Sequence, residues 1–209
     1  LHVGAHEGQK LSAYRTNKIS PIVFVEANPD LASALRDKTA DEMDVYVVEG
    51  AASDTSGTAI FNIASFDQSS SLLPLGKHAE LYPKITFDTQ IEVRTMTLDA
   101  ALAETGIEPA SVNMLTMDIQ GAELMALRGA VETLKNIDAI QTEINYVEMY
   151  DGCPHISDLD TFLEPYGFLR IKTVTPYDKR WGDAVYVKAP MVTNSAMGSM
   201  GRFANKAFQ

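Results

Sequence analysis

Leu1-His2-Val3-Gly4-Ala5-His6-Glu7-Gly8, read with Ile22-Val23-Phe24-Val25-Glu26 beyond it, decides the fold of this chain. The apolar run ending at Val3 predicts a short buried strand. Gly4 and Gly8 predict the turn that stops it, since glycine bends sharply and admits a neighbour where a Cβ would stand. A helix is expected from about residue 9 to residue 15, with Leu11 and Tyr14 on one face. Residues 22–26 then read as a second buried strand. Asn28-Pro29 supplies an N-cap and a first helical proline, with Leu31 and Leu35 as the inward stripe.

Outward from there the alternation continues. Strands are expected at 45–49, 112–117 and 137–144, and helices at 98–104, from 122 onward and at 156–163. Residues 168–174 and 184–187 read as a closing antiparallel pair. Strands alternating with helices predict an α/β, Rossmann-like fold with a mostly parallel sheet and an antiparallel closing strand. Residues 58–64 and 91–97 read as extra strands around the polar segment 65–71, so 57–97 is expected to be a β and loop insertion over one end of the sheet. Residues 1–190 are expected to form one domain, and 191–209, without periodicity, a flexible C-terminal tail. Because the first residues read as a strand already under way, an N-terminal truncation is expected.

The 209 residues suffice for one sizeable core. With 17 basic against 28 acidic residues the net charge is −11, a field that repels polyanions, so no nucleic-acid partner is expected. No apolar run is long enough for a membrane span. The single cysteine, Cys153, forms no internal disulfide and reads as a loop thiol, compatible with the cytoplasmic location expected here. Oligomeric state has no signature in the sequence.

Glu26 ends its strand at about the 20-residue spacing at which a carboxylate receives the two hydroxyls of a ribose; the competing reading is a solvated strand-end acid. A dinucleotide turn carries G-x-G-x-x-G, which is missing, and Glu7 beside the helix start repels a diphosphate while tolerating a sulfonium and an ammonium group. Asp118, Glu123 and Glu143 add acid to the same edge. Such a crevice suits S-adenosyl-L-methionine better than a nicotinamide dinucleotide. An NAD(P)-dependent oxidoreductase and a non-catalytic nucleoside-binding domain remain as alternatives. Asp118 is the first candidate for a base or acceptor-orienting group, against a role in capping or in binding the cofactor amine. Glu143 reads as an acceptor contact or a core-rim hydrogen bond, and Glu123 as an acid at a helix start. His6 is a candidate base of suitable acidity, against merely shaping the loop. Ser69, Ser70 and Ser71 read as lid hydroxyls or a solvated loop. Trp181, Tyr177 and Tyr146 read chiefly as packing aromatics, and no role attaches to His78 or His155. No metal-ligand spacing stands out, and none is assigned, although magnesium needs only scattered carboxylates.

Over about residues 1–187 the chain resembles the FkbM-type methyltransferase family. The resemblance rests on Gly4 to Gly8, Phe24-Val25-Glu26-Ala27-Asn28-Pro29, Ala52-Ser53-Asp54 with Gly57, Thr97-Leu98-Asp99, and Leu115 to Leu124 with Gly129-Ala130. Its most specific block is Asp118-x-x-Gly121-x-Glu123 followed by Leu127-Arg128-Gly129-Ala130. His2 and Gln120 depart from the Asp and Glu common in the family. The resemblance implies transfer of a methyl group from S-adenosyl-L-methionine to a small-molecule hydroxyl acceptor such as a sugar, by the domain at 1–190. It also implies that Gly4, Ala5, His6, Glu7 and Gly8 hold the methionine end, Glu26 with Ala27 the ribose, and Ala51, Ala52 and Ser53 the adenine. Asp118 would then lie near the transferred methyl group.

Overall fold

β-Branched and aromatic runs with no polar alternation must be buried on both faces, which is the environment of a central parallel strand. The computed structural model, which describes residues 1–189, places Ile22–Glu26 there, while Val45–Glu49 lies half-buried at the edge of the sheet. In chain order the elements are β1 (His2–Val3), α1 (Leu11–Thr16), β2 (Ile22–Glu26), α2 (Pro29–Lys38), β3 (Val45–Glu49), β4 (Ala51–Ala52), β5 (Gly57–Ala64), α3 (Lys77–Leu81), β6 (Phe87–Met96), α4 (Leu98–Thr105), β7 (Met114–Met117), α5 (Glu123–Arg128), α6 (Val131–Leu134), β8 (Ala139–Asn145), α7 (Ile156–Leu163), β9 (Phe168–Val174) and β10 (Trp181–Lys188). The tail expected at 191–209 lies outside the described residues.

Seven strands form the main sheet in the order β3-β2-β1-β7-β8-β10-β9. The pairings from β3 to β8 are parallel, and β10 runs antiparallel to both β8 and β9. The strand order reverses on either side of β1, and open α/β sheets bind ligands in the crevice at such a switch point, at the C-terminal ends of the strands. The expected strand pair forms a separate sheet, β4-β6-β5. The loop that joins β5 to β6 folds back to the rim of the main sheet, where Ser71 Oγ donates to the Gln120 carbonyl at 2.7 Å.

Leu98, Leu102, Leu127, Leu134 and Leu159 fill one face of the sheet together with Ile140, Ile144 and Tyr186. On the other, Leu11 and Leu35 cover Ile22 and Phe24. Asn28 Oδ1 caps α2 by accepting from the Asp30 amide at 3.0 Å, with Pro29 in the first turn, as expected. The inward stripe of α2 is shifted in phase, however: Ala32 and Leu35 are buried, and Leu31 turns toward the crevice. The strand expected from residue 112 begins at Met114, because Pro109–Ser111 forms a 3-10 turn ahead of it.

Gly4 shows why the first turn needs glycine. Its φ is 74°, and a Cβ there would stand 2.0 Å from the Asp118 carbonyl oxygen. Both the left-handed backbone and the contact penalise any side chain. Gly4→Ala is therefore expected to cost about 2–5 kcal/mol of unfolding free energy in urea titrations; a loss below about 1 kcal/mol would show that the turn after β1 can move away from Asp118.

Candidate active site

At the C-terminal rim, the turns after β1, β2 and β7 and the loop between β5 and β6 enclose a cavity of about 330 Å³. Its wall follows the strand order. Ala51 and Ala52 with Phe61 and Leu72 make the end beyond β3; Glu26 and Ala27 continue it from β2, Gly4 to His6 from β1, and Asp118 with Gln120 from β7. One end is thus apolar and the other polar.

Glu26 joins two of these turns. Its Oε2 accepts the His6 amide at 2.7 Å and its Oε1 accepts the Asn28 amide at 2.9 Å. Burial raises its pKa above the usual carboxylate value, and these backbone donors partly offset that rise. A carboxylate has about four acceptor sites, so lone pairs remain for a ligand. His6, with φ of 50°, holds Gln9 Nε2 on Nδ1 at 2.7 Å and brings Nε2 to 3.1 Å from Asp67 Oδ2. It therefore ties the glycine turn to the loop above the cavity.

Beside Asp118 the central group is Gln120, whose φ is 54°. Its Nε2 donates to both Asp118 Oδ1 and Glu143 Oε2 at 2.7 Å, and its Oε1 accepts from the buried Tyr150 hydroxyl at 2.6 Å. One neutral amide so bridges two carboxyl groups and leaves none of its own polar atoms idle. Burial, then the charges of Asp118 and Glu123, keep Glu143 protonated well above the usual range. Asp183, opposite Glu143 in the β8–β10 register, is raised to about 6 by burial and by Asp118, against Lys10. Glu123 is fully buried, and its Oε1 accepts the Ile119 and Gly121 amides at 3.1 and 3.3 Å. It braces the turn that carries Asp118, and burial above all lifts it to about 7.

Of the residues expected from sequence, Gly4, Ala5, His6, Glu26, Ala27, Ala51, Ala52 and Asp118 meet on the cavity wall. Glu7, Gly8, Ser53 and Glu143 do not. Glu7 is exposed, with its carbonyl accepting from Lys38. Gly8 packs on Leu35, where a Cβ would stand 2.6 Å from Cδ1. Ser53 is buried, its amide bonded to the Met96 carbonyl and its own carbonyl set against Gly129. Glu143 lies behind Gln120. Ser71 anchors the lid loop through Gln120, and Ser70 Oγ accepts the Ala64 amide. Trp181 packs with Tyr82 and stacks on Tyr177, and Tyr146 is exposed outside the cavity. Cys153 is buried beside Gly121. Sequence reasoning gave Gln120 no site role, although its departure from the Glu common in the family marked the position, and it assigned nothing to Lys10, Asp67, Phe61 and Leu72.

The profile of a family described as "Methyltransferase FkbM domain" matches residues 2–170. The chain is 29% identical over 160 residues to the 2-O-methyltransferase NoeI of Sinorhizobium fredii (strain NBRC 101917 / NGR234), covering 73% of this chain and 65% of that protein. It thus spans just under two thirds of that relative's length. Among solved structures, the Streptococcus pneumoniae protein Sp1610, in complex with S-adenosyl-L-methionine, is similar with a TM-score of 0.50 at 12% identity. That match covers 90% of this chain and 64% of the other, and speaks to the fold alone. No helix among the described residues is long and apolar enough to cross a membrane.

Glu123 makes stability depend on pH. In the fold it keeps its proton up to about pH 7, whereas in the unfolded chain it loses it in the usual carboxylate range. The folded state binds the extra proton between those limits, so its contribution is complete at low pH and is lost as pH rises through 7. Glu123→Gln keeps an acceptor for the Ile119 and Gly121 amides and has no charge to bury. It is expected to exceed the wild type in stability by about 1–3 kcal/mol at pH 8, with the difference closing toward pH 5. Urea titrations at both pH values check this, and parallel curves would contradict it.

Proposed function

The chain belongs to the FkbM methyltransferase family, and from that premise we propose that it is an S-adenosyl-L-methionine-dependent O-methyltransferase acting on a hydroxyl of a small molecule such as a sugar. The observation that carries this reading is the placement of Glu26 across from the Gly4 turn at the switch point, on one continuous cavity. The cavity suits the donor part by part. Ala51, Ala52, Phe61 and Leu72 offer apolar walls to a purine, Glu26 keeps lone pairs for a ribose diol, and Gly4 presents backbone without a Cβ. Asp67 and Asp118 on the same wall disfavour a diphosphate and favour a cation. The name of the NoeI relative, a 2-O-methyltransferase, supports a hydroxyl as acceptor.

When bound, the donor supplies a methyl group on a positively charged sulfur. The chain must hold an acceptor oxygen in line with it and take up the hydroxyl proton. Asp118 is the group for this: it is exposed on the cavity wall, and Gln120 fixes one of its oxygens. Alignment contributes several kcal/mol to such a step and a positioned base about 10²–10⁴-fold. Glu143 acts behind Gln120 as its anchor. His6, with Gln9 and Asp67 on its two nitrogens, secures the lid rather than serving as the base. In this reading residues 1–190 are the methyltransferase domain, 57–97 is its lid-bearing insertion, and the lone buried Cys153 suits a cytoplasmic setting.

Titration calorimetry with S-adenosylhomocysteine is expected to show binding. Glu26→Ala should weaken it about 10–100-fold through the lost charge-assisted bonds. Asp118→Asn should leave that affinity nearly intact and lower transfer of a labelled methyl group to hydroxylated acceptors by about 10²–10⁴-fold. A folded protein that ignores S-adenosylhomocysteine would refute the reading, and binding without transfer to any alcohol would reduce it to a nucleoside-binding module.

A further inference from the structure

Lys10 stands on the cavity wall among the acids. It sits between the glycine turn and α1, half-buried, and it is the one lysine or arginine on the cavity wall. Its single hydrogen bond among the described residues is a 3.5 Å contact from Nζ to Gln141 Oε1, at the limit of what counts as a bond. The groups around it do not neutralise it closely. His2, on the adjoining wall, is pushed down to about 3 by burial and then by Lys10 itself, and so is uncharged. Asp183 feels Lys10 only as a charge at longer range. A partly desolvated ammonium without an anion or good acceptors is costly to keep.

The strand register says which part of a ligand would meet it. Gln141 pairs with Thr116 of β7, and Thr116 with His2 of β1, so Lys10 reaches across the row two residues below Gly4 and Asp118. Counting along the wall from Ala51 and Ala52 through Glu26 and Gly4, Lys10 stands at the far end from the apolar walls. A nucleoside whose base lies on those walls and whose ribose meets Glu26 must send its tail there. That tail, in the reading above on which this step rests, is an α-amino acid with one carboxylate and one ammonium group. The carboxylate side chains of the wall suit the ammonium, and only Lys10 suits the anion.

We propose that Lys10 binds the α-carboxylate of the methyl donor and so selects a nucleoside bearing an amino-acid tail. A flexible ammonium serves a carboxylate as a point charge with rotatable donors, and the same geometry explains why its present partner is only a side-chain amide. The second source of such an anion is a carboxylate on the acceptor, and the ligands of the test separate the two.

The test is calorimetry with two ligands that share adenosine and sulfur: S-adenosylhomocysteine, which has the amino-acid tail, and 5′-methylthioadenosine, which lacks it. In the wild type the tail should strengthen binding. Lys10→Met, similar in length and uncharged, should weaken S-adenosylhomocysteine about 10–100-fold and leave methylthioadenosine unchanged. Lys10→Arg should keep the wild-type preference, and it decides the matter if the methionine variant fails to fold. Equal weakening of both ligands by Lys10→Met would make Lys10 a brace for the turn and overturn the proposal. So would unchanged binding of both, which assigns its charge to an acidic acceptor. If the wild type binds methylthioadenosine with no gain from the tail, the proposal fails while the nucleoside site stands. If it binds neither, the methyltransferase reading fails and the proposal with it.

Discussion

Two backbone amides, from His6 and Asn28, end on the one carboxylate of Glu26, and this clamp joins the turn after β1 to the turn after β2. On its other side the first turn is held against β7, where Gly4 leaves no room for a Cβ beside the Asp118 carbonyl. Three strand ends are thereby brought within reach of one ligand. The cavity exists because a buried acid has backbone donors on both sides of it and because one residue has no side chain. Both are local requirements, met at the point where the sheet reverses its strand order.

Around this clamp the protein buries several acids, and each has a different means of bearing the cost. Glu26 receives amides. Glu123 receives the amides of the turn it supports, and keeps a proton up to about pH 7. Glu143 meets the neutral amide of Gln120 instead of a cation. Asp118 shares that amide but is exposed on the cavity wall, so with Glu26 it faces a ligand. The result is a crevice with buried carboxyl groups of raised pKa behind and an exposed acid in front. Lys10 breaks this pattern at one corner. A chain carrying a net charge of −11 places its one pocket lysine opposite the acids, which is the charge arrangement of a zwitterion's mirror image.

Much of this was legible from residues in order. The strands at 22–26 and 45–49 and the helix at 156–163 agree with the structure, because unbroken β-branched runs and a proline-bounded amphipathic stretch leave few alternatives. Gly4, Glu26 and Asp118 reach the cavity because each stands at a strand end, and strand ends are what local pattern marks best. Other features depend on which strand lies next to which. Asp183 joins Glu143 only through the antiparallel register of β10, and Lys10 reaches Gln141 only because β8 follows β7. No spacing along the chain encodes either. Ser53 was expected to share the role of Ala51 and Ala52, but the chain turns inward there to meet Met96 and Gly129. Leu31 and Ala32 exchanged places for a similar reason, a shift of one residue in helical phase that both leave apolar.

A structure determined with S-adenosylhomocysteine tests the central claim most directly. The account predicts the ribose hydroxyls on Glu26, the purine between Ala52 and Leu72, and the sulfur over the Gly4 turn with Asp118 beyond it. Density for the nucleoside at any other surface, or a cavity closed by side chains between Gly4 and Glu26, would contradict it.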